Sequence, residues 1–290
     1  MRLPVATAAL LPSQYARVPP PAMQYALQPT PMDALAMHHA LHHNRNSQSL
    51  GNHRFLIASD MAIRVPREAQ YMLEQLVHHE TSGGSILTQV ESWRPRHKVR
   101  HWHPEPETPP PPHPHSTTQV RWSSDAARML GLPNAGGSSL CSEALSFEML
   151  ARAFGARLEM TEMELRYTPG SQITDYACRV FNGCVLGVSV TRAVVHRGNG
   201  QLGGHLCDDE AYRLLSKKLA GINISTRNIQ NMRWRKQVLH VWAQSRRDAG
   251  TLERQYAALP QHLRTNTVLL TSITSGVDWI YGSRYGTARN

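Results

Sequence analysis

Cysteine is scarce in this chain, with four residues in 290 and no C-x-x-C pair. That excludes a disulfide-stapled secreted scaffold and argues against a zinc knuckle; buried small hydrophobes are the default role for these thiols. No run of about 18 apolar residues occurs, so no membrane-spanning helix is expected. Acidic residues are missing from the first 32 positions, Asp33 being the first. Proline and histidine are nearly missing from the second half: sixteen of 19 prolines and 12 of 16 histidines lie before residue 116. Apolar content is 41%, below the ~45–50% usual for globular chains, which fits a protein only part of which folds.

What is present is positive charge. Lys and Arg number 31 against 21 Asp and Glu, a net of +10. Divided at residue 118, the first part carries +2 and the rest +8. The excess therefore belongs to the half with folding signals, which points to an acidic partner. The composition describes a soluble, basic, intracellular protein.

Residues 1–52 read as disordered, because Pro19, Pro20, Pro21, Pro29 and Pro31 deny them a long helix. Arg2, Arg17 and the acid-poor start also fit a mitochondrial transit peptide, with a nuclear or cytoplasmic protein as the other reading. His38, His39, His42 and His43 read as solvated side chains in low complexity rather than metal ligands. Residues 104–115 form a proline-rich linker of polyproline II character. Between them, residues 67–80 predict one helix, with Ala69, Met72, Leu73 and Leu76 at helical spacing. Residues 1–118 are thus expected to be a mostly disordered Pro/His-rich arm with one short helix, and 119–290 a folded α/β domain.

In that second part Ser142 can cap a helix over 143–154, closed by Gly155. Residues 157–167 alternate like a strand while their Met and Glu favour helix. Segments 173–181 and 184–195 flank Asn182-Gly183, a strong hairpin signal. Asp208, Asp209 and Glu210 open a helix that Lys217 and Lys218 close, with Gly221 beyond. A strand over 237–243, a helix over 251–263 and a strand over 267–273 complete the order. A hairpin-bearing sheet with crossover helices implies a mixed sheet covered on both faces.

An opening helix, a three-strand meander, a helix and a further strand resembles the core of the PD-(D/E)XK nuclease superfamily over residues 139–275. The resemblance implies a restriction-endonuclease-like fold in which acids hold Mg²⁺ and a Lys orients the nucleophile. The metal would activate water and neutralise charge at a scissile phosphate. On this sequence Asp175 takes the place of the first metal acid. Ser189 and Thr191 stand where the strand acid and Lys would point, so the triplet is degenerate. Glu143 or Glu148 represents the helix glutamate; Glu162 or Glu164 replaces the missing acid; Arg192 or Lys217 replaces the Lys. The candidate catalytic set is Asp175, Glu148, Glu164, Ser189, Thr191 and Arg192, with Asp175 and Glu164 as ligands of Mg²⁺.

A basic patch stands beside it. Lys217, Lys218, Arg227, Arg233, Arg235 and Lys236 surround Trp234, a mixture that neutralises phosphates and stacks a base. The glycines at 198, 200, 203 and 204 precede an acidic helix start, which would repel a phosphate, so they read as a connector. The expected partner is nucleic acid, DNA or RNA, bound or processed by this domain. The alternative is a non-enzymatic adaptor or assembly subunit that binds another protein.

Overall fold

The computed structural model describes residues 52–79, 83–93, 120–132, 139–181, 183–195, 204–234 and 236–281. The expectations for residues 1–51, the histidine run, the proline-rich linker, Asn182 and most of the glycine-rich connector lie outside these residues. The described strands are β1 (Asn52–Ala58), β2 (Met61–Pro66), β3 (Gly84–Ser92), β4 (Arg157–Thr161), β5 (Tyr176–Val180), β6 (Cys184–Ala193), β7 (Lys236–Ala243) and β8 (Thr267–Ser275). The helices are α1 (Ala69–His78), α2 (Ser124–Gly131), α3 (Leu140–Phe154), α4 (Asp208–Asn228), α5 (Arg246–Ala258) and the single turn α6 (Gln261–Arg264). A 3₁₀ turn, Asp278–Tyr281, follows β8.

The eight strands form one mixed sheet in the order β1-β2-β3-β8-β7-β6-β5-β4. Its centre, β3-β8-β7-β6, is parallel, and each end is an antiparallel meander. β7 is buried at every position and β8 at all but its last. Parallel strands covered on both faces read as such continuous runs. Helices α1, α2 and α3 cover one face, over Ile63, Ile86, Val188, Trp242 and Leu270. Helices α4 and α5 cover the other, over Leu239, Val241, Leu269 and Ile273. Each such large side chain taken fully out of water contributes roughly 1.5–3 kcal/mol. The α/β mixed-sheet class and the order helix, meander, helix, strand, helix, strand are as the sequence predicts.

Four local readings are corrected. Residues 54–91 hold three strands as well as the expected helix, so the sheet reaches back to Asn52. β3 pairs with β8, about 180 residues away, and no local pattern announces such a partner. α3 starts at Leu140, and Ser142 lies inside it, donating to the Ser139 carbonyl at 2.6 Å. α4 does not stop at Lys218 but runs to Asn228, because Ile222 and Ser225 extend its buried stripe past Gly221. α5 starts at Arg246, where the Ser245 hydroxyl accepts the Asp248 N–H at 3.1 Å, and ends before Pro260. Proline has no N–H to continue it.

Gly155 closes α3 as predicted, at φ 66°, a conformation that costs glycine little. β4 is an edge strand, and two carboxylates occupy its outward N–H groups. Asp125 accepts from Leu158 at 3.0 Å and Glu164 from Thr161 at 2.8 Å. Such capping blocks pairing with a further strand. Among the described residues no helix is long and apolar enough to cross a membrane.

Candidate functional site: a carboxylate pocket at the end of the sheet

The first turn of α3, the end of β4 and the residue before β5 meet at a pocket. Its walls are Met129, Leu132, Leu140, Glu143, Thr161, Glu162 and Asp175. Three of these seven are carboxylates, in apolar company. Glu143 is only 5% exposed.

Asp175 is held firmly. Its N–H donates to the Val188 carbonyl at 3.1 Å, and its Oδ2 accepts the Val190 N–H at 2.5 Å. The side chain thereby extends the β5–β6 ladder by one rung. The neighbouring Thr174 is tied from below: its hydroxyl donates to Ser225 Oγ at 3.1 Å and to Gln237 Oε1 at 3.2 Å. Gln237 in turn donates to the Ile222 carbonyl at 3.1 Å and to Ser225 Oγ at 2.9 Å. Thus α4 and β7 jointly fix the loop that carries the acid.

Burial and the nearby Glu143 push Asp175 up to about 7. The Val190 bond and Lys218 pull the other way, and Glu162 adds to the rise. Glu143 is raised as well, chiefly by burial. Its bond with Ser139 and the charges of Arg192 and Lys218 lower it, while Glu162 raises it. Burial thus makes a full set of carboxylate charges costly in this pocket, and Lys218 and Arg192 offset only part of that cost. Tyr167 adds a phenol whose oxygen accepts the Thr174 N–H at 3.1 Å; burial raises it, with Asp175 and Glu162 contributing.

The sequence-predicted site residues divide sharply. Asp175 is in the pocket, and Arg192 is close enough to act on Glu143 while donating to the Ile280 carbonyl at 3.3 Å. Glu148 is not in the pocket wall. It is fully buried, pairs with Arg152 at 2.7 Å and accepts the Ser123 N–H at 2.8 Å. Glu164 serves as the cap of Thr161 and pairs with Arg128. The carboxylates in the wall are instead Glu143 and Glu162. Ser189 and Thr191 lie on the opposite side of β6 from Arg192, since neighbours along a strand alternate.

The predicted basic patch also divides. Lys217, Arg227 and Arg233 are exposed, whereas Lys218 is half-buried and acts on Glu143 and Asp175. Lys236 is fully buried at the start of β7, so it is not a surface cation. Trp234 is packed inward among Leu165, Ala177 and Ile229, and its indole N–H donates to Thr226 Oγ1 at 3.2 Å. A Cβ on Gly187 would come within 3.0 Å of that ring, so the glycine is what lets the indole lie on the sheet. Arg235 is outside the described residues.

A second polar cluster runs beneath α3, and the sequence reading missed it. His240 Nδ1 lies 2.7 Å from Ser146 Oγ and its Nε2 lies 2.8 Å from Ser272 Oγ. Ser146 continues to Tyr176 at 2.8 Å, and Ser272 to Thr88 at 2.5 Å. All five residues are buried. Burial depresses His240 to about 3, so the ring is neutral. With no access from solvent, this Ser-His chain cannot meet a substrate.

No family model matches the chain. The AAC-rich mRNA clone AAC4 protein of Dictyostelium discoideum is 39% identical over 168 residues, 57% of this chain and 24% of that protein. The chain thus spans about a quarter of the length of that relative. Among solved structures, Pyrococcus furiosus SfsA in complex with Ca²⁺ aligns at 11% identity and a TM-score of 0.26, covering 50% of this chain and 64% of SfsA.

Proposed function

We propose that this chain binds and processes nucleic acid through a PD-(D/E)XK-like domain whose phosphodiesterase site has been rearranged. The observation that carries the reading is the pocket, where Glu143, Glu162 and Asp175 share one wall within the field of Lys218 and Arg192. The helix–meander–helix–strand order beneath it supports the same reading.

The donors suit Mg²⁺, which takes hard oxygen ligands. Among the described residues no three His, Cys, Asp or Glu side chains are gathered so as to hold a metal ion. Mg²⁺ needs no such cage, because it keeps several waters and uses one or two carboxylates plus substrate phosphates. Glu143 and Asp175 would hold it, both already destabilised as anions by burial, Asp175 by Glu143 as well and Glu143 by Glu162. When bound, the ion supplies an activated water and charge neutralisation at the phosphate.

The chain's own residues do the rest. Lys218, on α4, takes the place of the strand Lys that the degenerate triplet lacks, and Arg192 adds a second cation. Met129, Leu132 and Leu140 wall the pocket with apolar surface, which strengthens these charges by keeping water back. Exposed Lys217, Arg227 and Arg233 offer sites for the nucleic-acid backbone.

The test is cleavage of labelled single- and double-stranded DNA and RNA in Mg²⁺ or Mn²⁺. Asp175→Ala and Glu143→Gln are expected to reduce cleavage roughly 100-fold or more, and Glu164→Gln to leave it within a few-fold. Salt-sensitive binding without cleavage by the wild type would mean a domain that has kept the fold and lost the chemistry. Neither binding nor cleavage would favour the protein adaptor.

A further inference from the structure

The two faces of the sheet are not covered alike. The helices α4 and α5 pack over β6, β7 and β8, and among the described residues no helix lies on that same face of β1 and β2. What stands there is unusual for a bare sheet. Arg54 and Arg64 sit directly opposite each other across β1 and β2. Like charges so placed repel. A single carboxylate serves both: Glu91 Oε1 is 2.6 Å from Arg64 Nε and 4.0 Å from Arg54 Nε. The Arg54 guanidinium also lies 4.7 Å from the centroid of the Trp93 ring. Trp93 is 46% exposed and Leu56, next along β1 on this face, 58%.

Two cations against one anion leave the surface positive, and the indole gives it a flat aromatic platform. The chain that continues from Trp93 reads Arg94, Pro95, Arg96, His97, Lys98, Val99, Arg100, four strong cations and no acid in seven residues. That run lies outside the described residues and is not counted in the surface, but it sets the sign of the partner. An open sheet face with paired arginines and an exposed Trp is the combination that stacks bases and tracks phosphates.

We infer that this face of β1–β3 is a docking surface for single-stranded nucleic acid, with bases on Trp93 and Leu56 and phosphates on Arg54 and Arg64. The inference goes beyond the pocket reading, from which it takes only the class of ligand. The surface is at the far end of the sheet from Asp175. From β1 to β5 is six strand spacings of about 4.8 Å, roughly 29 Å. Binding here needs no metal ion, so it persists if the pocket proves inert.

The experiment is fluorescence anisotropy of the full chain with fluorescein-labelled oligo(dT) and oligo(U) 20-mers, in EDTA, over a salt series. Trp93→Ala should weaken binding roughly 5- to 150-fold, and Trp93→Phe should restore most of it by returning a ring. Arg54→Ala with Arg64→Ala should lower the slope of log K against log salt by about 1.4, two phosphate contacts' worth. All three variants binding with wild-type affinity and slope would overturn the proposal. So would a wild-type dimer in sedimentation that Trp93→Ala dissolves and the oligonucleotides do not, since the face would then receive a second copy of the chain.

Discussion

Beneath α3, His240 sits between two serines with both ring nitrogens engaged, and burial costs it only the ability to take a proton. At the end of the sheet, Asp175 is buried beside another carboxylate and is pushed up to about 7. Both are titratable groups taken out of water by the same fold. One cluster is satisfied within the protein; the other sets carboxyls close together out of water, where burial first and a neighbouring acid second oppose their charge. Buried polar groups with all partners supplied specify architecture. Buried groups left in conflict mark the places where a fold departs from its own stability, and those cluster at functional sites.

Substitution should separate the two clusters by sign. His240→Leu removes a partner from Ser146 and Ser272 and is expected to cost about 2–4 kcal/mol in urea unfolding at pH 7.5. Asp175→Asn keeps an acceptor for the Val190 N–H and removes a charge that Glu143 repels. It is expected to stabilise the protein by about 1 kcal/mol at the same pH. The pH windows are opposite too. A histidine at about 3 when folded and 6.5 when free costs stability progressively as pH falls from 6.5 toward 3, because only the unfolded chain takes the proton. His240→Leu should flatten that loss. A carboxyl at about 7 when folded and 3.8 when free costs stability as pH rises from about 4 through 7, because the unfolded chain releases its proton first. Asp175→Asn should therefore gain nothing below pH 4 and most above 7. A stability gain from His240→Leu, or a large loss from Asp175→Asn, would break the comparison.

The two tryptophans sharpen it on a smaller scale. Trp234 is packed on Gly187, so Gly187→Ala should cost about 1–3 kcal/mol by pushing the ring off the sheet. Trp93 is exposed, and its replacement by Ala should change the unfolding midpoint little. Equal costs at the two positions would mean that Trp93 is covered as well.

Most strands and helices from residue 140 onward were legible because they carry their own period, and Gly155 marks the stop of α3 locally; β4 was the exception, its alternation competing with the helix preference of its Met and Glu. The meander β1–β3 was not, since β3 gains its place from β8, far along the chain. The site was half legible. Asp175 was named through the resemblance, which sets its first metal acid at this strand, but the choice between Glu143 and Glu148 depends on which side of α3 meets the sheet end. These residues are five apart, about 140° around a helix, and their sequence neighbours do not say which direction is which. Lys218 looked like a helix terminus until α4 proved to run ten residues further. Trp234 and Lys236 were misread for a related reason: a basic, aromatic stretch looks the same whether its indole and ammonium face solvent or the core.

The most direct measurement is the ionisation of Asp175 itself, followed by carboxyl ¹³C NMR with and without Mg²⁺. The account predicts a midpoint near neutrality in metal-free buffer, and a fall toward the ordinary aspartate range when Mg²⁺ is added. A midpoint that stays near 7 at millimolar Mg²⁺ would contradict the claim that this pocket is built to receive a cation.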